Sequence, residues 1–180
     1  TSTSTSAYVR NTDANSAVQG VSNNSYLEVT NATGTAEVTF EIPQILAGKY
    51  DVYVDFVPPV IDGVALAEEK TRLEFRLVYP RADKNGTANI SRDDDDDPDL
   101  IIGGDSVGDN KVKTLKVWEA LELPAANYYD GMWFMDEDNS TDDVKVRTTF
   151  RIRTNVKAPE VNVKYRRRFR VDRIRFVPVP

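Results

Sequence analysis

The sequence predicts an all-β fold, an antiparallel β-sandwich, on three observations. Apolar and polar residues alternate with a period of two in one stretch after another, the pattern of a strand with one buried face. Val, Ile and Thr together number 45 of the 180 residues, against nine Leu. β-Branched side chains suit a pleated surface and lose freedom in a helix. Gly, Pro and Asn separate the alternating stretches, and no long helical periodicity interrupts them,.

Taken in order, residues 26–30 (YLEVT) alternate until Asn31-Ala32-Thr33-Gly34 breaks them. Residues 35–42 put Ala36, Val38, Phe40 and Ile42 on one face, and Pro43 and Gly48 bracket the connection that follows. Residues 49–57 turn Tyr50, Val52, Val54 and Phe56 one way and Asp51, Tyr53 and Asp55 the other. Pro58-Pro59 ends that strand, because proline has no N–H to give a ladder. Residues 61–67 read as a loop or a short turn of helix. Residues 71–79 send Leu73, Phe75, Leu77 and Tyr79 inward, with Arg72, Glu74 and Arg76 outward.

Residues 111–123 (KVKTLKVWEALEL) fit two templates. Val112, Leu115, Trp118 and Leu121 have helical spacing; a strand through Glu119 is the reading adopted. An aromatic segment, 127–135 (NYYDGMWFM), carries a turn at Asp130-Gly131. Residues 144–154 read as one strand, with Val144, Val146, Thr148, Phe150 and Ile152 opposite Lys145, Arg147, Arg151 and Arg153. In 166–177, Phe169 and Val171 share a phase that Ile174 and Phe176 resume one residue late. That slip between Asp172 and Arg173 is the mark of a β-bulge.

Domain organisation follows. Residues 1–20, opening TSTSTS, read as a linker or processed end, and 21–180 as a single domain. Residues 80–110 form its long polar connection, a mobile acidic loop carrying DDDDDPD at 93–99,.

Composition excludes several chemistries. With no His and no Cys, there is no Ser-His-Asp triad, thiol nucleophile, His-ligated metal or disulfide framework. No stretch is long and apolar enough for a membrane-spanning segment. No spacing among the 29 acids singles out a catalytic pair,, and the chain is read as not an enzyme. Charge is uneven: residues 1–144 hold 27 acids and 11 bases, residues 145–180 two acids and 12 bases. The simplest account is a basic C-terminal strand pair lying beside acidic strands in one sheet. Five Asn-x-Ser/Thr sites, at Asn23, Asn31, Asn85, Asn89 and Asn139, hint at exposed loops,.

Two segments carry a resemblance. Ala47-Gly48-Lys49-Tyr50-Asp51-Val52-Tyr53-Val54 is similar to the G-x-Y-x-V-x-V strand of jelly-roll carbohydrate-binding modules of the galactose-binding-like superfamily. Val171-Asp172-Arg173-Ile174-Arg175-Phe176-Val177-Pro178 resembles their last strand, which closes the domain beside its N-terminus. The order of 26–29 and 37–42 agrees, and the 93–99 insertion departs from the pattern. The resemblance implies jelly-roll topology, an extracellular or bacterial cell-surface location, and company such as the surface lipoproteins and adhesion proteins of Bacteroidetes.

Four candidate sites stand out. Asn127, Tyr128, Tyr129, Asp130 and Trp133 combine flat aromatics with amide and carboxylate groups, as binding a sugar's apolar face and hydroxyl rim requires. The competing account has Tyr129 and Trp133 plugging the core; Trp118 reads as core. Asp136, Asp138 and Asp142 offer alternate oxygens to a structural calcium, although no other cofactor is implied and the EF-hand pattern is absent. Arg166, Arg167, Arg168 and Arg170, with Arg173 and Arg175, flank Phe169 and could track an anionic chain. Alternation makes half of them an outward strand face, and the acidic net charge opposes nucleic acid. Catalysis by a tuned carboxylate is the fourth. The expectation is a non-catalytic module whose partner is a glycan or another surface protein. The alternative is a structural or cell-adhesion domain with no small ligand.

Overall fold

The computed structural model describes residues 5–11, 20–42, 45–57, 60–61, 64–65, 70–80, 87–92, 101–102, 112–123, 133–135, 144–146, 148–157, 161 and 165–180. Two antiparallel sheets face each other across one core, as the alternation predicts.

The first sheet is built from β1 (Ser6–Asn11), β2 (Ser25–Thr30), β4 (Gly48–Phe56), β10 (Lys113–Leu123) and β14 (Arg168–Val179), in the spatial order β1-β2-β14-β4-β10. The second holds β3 (Glu37–Glu41), β7 (Thr71–Pro80), β8 (Thr87–Arg92) and β13 (Thr149–Thr154), in the order β3-β13-β7-β8, with β9 (Ile101–Ile102) also against β7. Two short hairpins stand apart: β5 (Val60–Ile61) with β6 (Val64–Ala65), and β11 (Trp133–Met135) with β12 (Val144–Val146).

The core lies where the inward sets of both sheets meet. Val52, Val54 and Phe56 of β4 are buried, as are Leu73, Phe75 and Leu77 of β7 and Phe150 and Ile152 of β13. Phe150 sits at the centre of an aromatic chain that joins the sheets. Its ring centroid is 6.1 Å from Phe75, 5.7 Å from Trp118 and 6.4 Å from Phe176. The Trp118 and Phe176 rings meet it edge-on and the Phe75 ring is tilted; edge contacts add about 0.5–1.5 kcal/mol per pair beyond area burial. Trp118 therefore packs against the core, as expected.

The bulge expected between Asp172 and Arg173 is present as a register shift between Val171 and Arg173. Its effect is to return Ile174 and Phe176 to the core while Arg173 and Arg175 point outward over β4. The Asp172 side chain is buried at the shift, and its Oδ1 accepts a hydrogen bond from the Ser22 N–H at 2.8 Å, tying the closing strand to the 3-10 turn Ser22–Asn24.

Several expectations are corrected. Within the presumed linker 1–20, residues 6–11 form β1, paired along its whole length with β2. The backbone donors of an otherwise open β2 edge are thereby satisfied. Residues 61–67 are neither loop nor helix throughout, since 60–61 and 64–65 pair as a hairpin. Within 80–110, residues 87–92 pair with β7 as β8; the acidic run 93–99 lies outside the described residues. Strand β10 runs on to Leu123, and two register shifts in its pairing with β4 erase the alternation that would have identified it. Residues 144–154 are two strands in different sheets, not one.

Candidate functional site

Several charged pairs of the described residues lie on the outer faces of the two sheets, whereas Arg92, in register with the inward Phe75, donates to the Lys116 and Val117 carbonyls of β10. On β4, period two turns Asp55 away from the core, yet Asp55 is 0% exposed. Its cover comes from flanking strands. Arg173 stands directly across from it on β14, and Arg175, opposite Tyr53, reaches back diagonally. Arg175 donates from Nε to Oδ2 at 3.1 Å and from Nη2 to Oδ1 at 3.0 Å. Thr114 of β10 donates its hydroxyl to Oδ1, and Arg173 Nε donates to Oδ2.

Burial alone would push the Asp55 carboxyl up. Hydrogen bonds from Arg175, Thr114 and Arg173 outweigh it, so the group is held below the usual carboxylate range,. The Arg173 guanidinium is correspondingly pushed up, first by its hydrogen bond to Asp55.

The network continues along the same face. Lys116 Nζ lies 2.8 Å from Asp51, whose other oxygen accepts the Ala120 N–H at 2.9 Å. The Lys116 ammonium and the Arg175 guanidinium sit 5.6 and 5.1 Å from the Tyr53 ring centre. On the neighbouring strands, Arg170 Nε meets Glu28 at 2.9 Å. The second sheet repeats the device: Glu74, 8% exposed, is gripped by Arg151 at 3.1 Å and by Arg153.

The charge asymmetry is thus resolved by cross-strand pairs, but over both sheets and not one. Arg151 and Arg153 of β13 meet Glu74, while Arg170, Arg173 and Arg175 of β14 meet Glu28 and Asp55. Both oxygens of Asp55 are occupied by donors from the neighbouring strands, so these pairs hold strands together.

A second feature lies where β2 ends and β14 begins. A hollow of about 320 Å³ is lined by residues 30–32, Val161, Arg166, Arg167 and Arg168. Asn31 forms one wall. Its side chain caps its own turn, accepting from the Thr33 and Gly34 N–H groups at 3.0 and 2.8 Å and donating to the Thr35 carbonyl at 2.9 Å,. Its backbone N–H donates to the Arg167 carbonyl at 3.1 Å.

Of the predicted sugar-binding residues, Asn127, Tyr128, Tyr129 and Asp130 lie outside the described residues. Trp133 is placed by its backbone on β11, across from Val146. The predicted calcium ligands Asp136, Asp138 and Asp142 also lie outside the described residues, among which no group of three acidic side chains is arranged to hold a metal ion. Sequence reasoning grouped Arg166, Arg167 and Arg168 with the strand arginines and missed the hollow. It missed the burial of Asp55 as well, although the late phase of 174 and 176 was the signal that Arg173 changes face. No helix among the described residues is long and apolar enough to cross a membrane. No protein-family model, no curated protein and no solved structure matches this chain.

Proposed function

We propose that this chain is a non-catalytic binding module of a surface or secreted protein, built as a jelly roll and recognising carbohydrate through the aromatic segment that contains Trp133. The jelly-roll reading is supported by strand order. Among the main strands from β2 onward, each successive one changes sheet, apart from the hairpin β7–β8. Interlocked Greek keys produce such an order. The two segments carrying the resemblance are also neighbours in register, Tyr50 opposite Pro178, Val52 opposite Phe176 and Val54 opposite Ile174.

The observation that carries the glycan reading is the position of Trp133. Its strand pairs with β12 and belongs to neither main sheet. An aromatic residue on a separate hairpin suits a platform for a sugar ring better than a place in the sandwich core.

A glycan array probed with wild type and Trp133→Ala tests this. Binding to a defined set of glycans, lost in the variant while its melting temperature holds, is the expected result. Absence of binding across plant, host and bacterial glycans would replace this reading with the adhesion-domain alternative.

A further inference from the structure

We propose that the hollow at Arg166, Arg167 and Arg168 is an anion subsite, taking the carboxylate or sulfate group of an acidic oligosaccharide; this rests on the glycan-binding reading above. Consecutive residues of an extended strand point to opposite faces. Here the chain bends at Arg167 before β14 begins at Arg168, and all three residues line one space. The guanidinium fork matches planar or tetrahedral oxyanions, which it can grip with two parallel hydrogen bonds.

The backbone there is held from both sides. The Arg166 N–H donates to the Lys70 carbonyl at 2.7 Å, and the Thr71 hydroxyl donates to the Arg166 carbonyl at 2.7 Å. Asn31 fixes the Arg167 carbonyl. A scaffold ordered before the ligand arrives lowers the entropy lost on binding. At the same end of the sandwich the Arg72 guanidinium lies 5.5 Å from the Tyr165 ring centre.

The volume suits one sugar ring and its acidic substituent. The net charge of −6 opposes every polyanion at long range,; the saccharide is chosen over a nucleic acid on the glycan-binding reading, and the oligonucleotide arm of the test separates the two.

The test compares wild type, Arg167→Gln and Arg167→Lys by calorimetric titration against galacturonate oligomers, sulfated heparin-derived oligosaccharides, neutral glucan oligomers and a single-stranded oligonucleotide. Arg167 is anchored through its carbonyl, so both variants should melt with wild type. The expected result is binding to an acidic oligosaccharide that weakens at least tenfold in Arg167→Gln, partly recovers in Arg167→Lys and falls with salt. Binding of the galacturonate oligomers shows that a carboxylate suffices; binding of the heparin-derived oligosaccharides, which carry both groups, without binding of galacturonate shows that sulfate is required. Binding of neutral glucans alone would overturn the subsite and leave the glycan reading standing. No binding to any saccharide would overturn both. Acidic binding unchanged in Arg167→Gln, or an oligonucleotide held as tightly as the saccharides, would overturn the assignment.

Discussion

Arg175 grips Asp55 with both ends of its guanidinium, Nε to Oδ2 at 3.1 Å and Nη2 to Oδ1 at 3.0 Å, across two strands that are 120 residues apart in sequence. The carboxylate side chain is 1% exposed, but Arg175 and Arg173 are 36% and 50% exposed. Removal of either partner is therefore unequal in cost. With Asp55→Ala, the arginines return to water, and the expected loss is about 1–2 kcal/mol. With Arg173→Met and Arg175→Met together, a carboxylate remains buried without its cations, and the loss should be about 3–5 kcal/mol. Urea unfolding measures both; equal losses, or the reverse order, would refute the account.

The same pair sets an acid limit. Asp55 is held below its ordinary value of 3.8, so its ionised form is favoured by folding. Asp51 is shifted in the same direction, first by its hydrogen bond from Lys116 and then by the Ala120 N–H. For a carboxyl lowered in the folded state, the stabilisation is present above the ordinary value and disappears as pH falls through the lowered one. Melting temperature should thus decline once pH drops below about 4, and Asp55→Asn should flatten that decline relative to wild type. A variant that follows the wild-type acid slope would show that Asp55 does not set it.

Much of this fold is written in period-two patterning, because burial of one strand face is a local constraint. Tyr50, Val52, Val54 and Phe56 can be assigned inward without knowing their neighbours, and all are buried. What lies beside a strand is a long-range fact. Asp55 reads as solvent-facing by alternation; only the bulge in β14, more than a hundred residues later, brings two arginines over it. Strand β10 is ambiguous for a different reason: its register shifts at the sheet edge break the period, so helical spacing competes. The hollow at Arg166, Arg167 and Arg168 depends on a bend that alternation does not anticipate.

Phe150 should be the most sensitive core position. Its ring contacts three others drawn from both sheets, and the residue is 0% exposed. Phe150→Ala should cost about 3–5 kcal/mol, the usual range for deleting a buried aromatic ring. Phe150→Leu keeps most of the volume but loses the edge contacts, and should cost clearly less. Chemical denaturation would settle the comparison, with similar losses for Ala and Leu arguing against close packing at this point.

Ala120 offers the opposite outcome. Its φ of 48° lies in the left-handed region, in the stretch where β10 shifts register against β4. A Cβ in that region clashes with the following carbonyl and costs roughly 1–2 kcal/mol. The conformation persists because it aims the Ala120 N–H at Asp51 Oδ1, 2.9 Å away. Glycine adopts the same backbone without the clash, though it gives up about 0.5–1 kcal/mol to the greater freedom of the unfolded chain. Relief of the clash should be the larger effect, so Ala120→Gly should raise stability by up to about 1 kcal/mol, where glycine inside a regular strand lowers it. Paired melting curves of Ala120→Gly and Leu121→Gly provide the check: a loss at both positions would mean that Ala120 carries no strain to relieve.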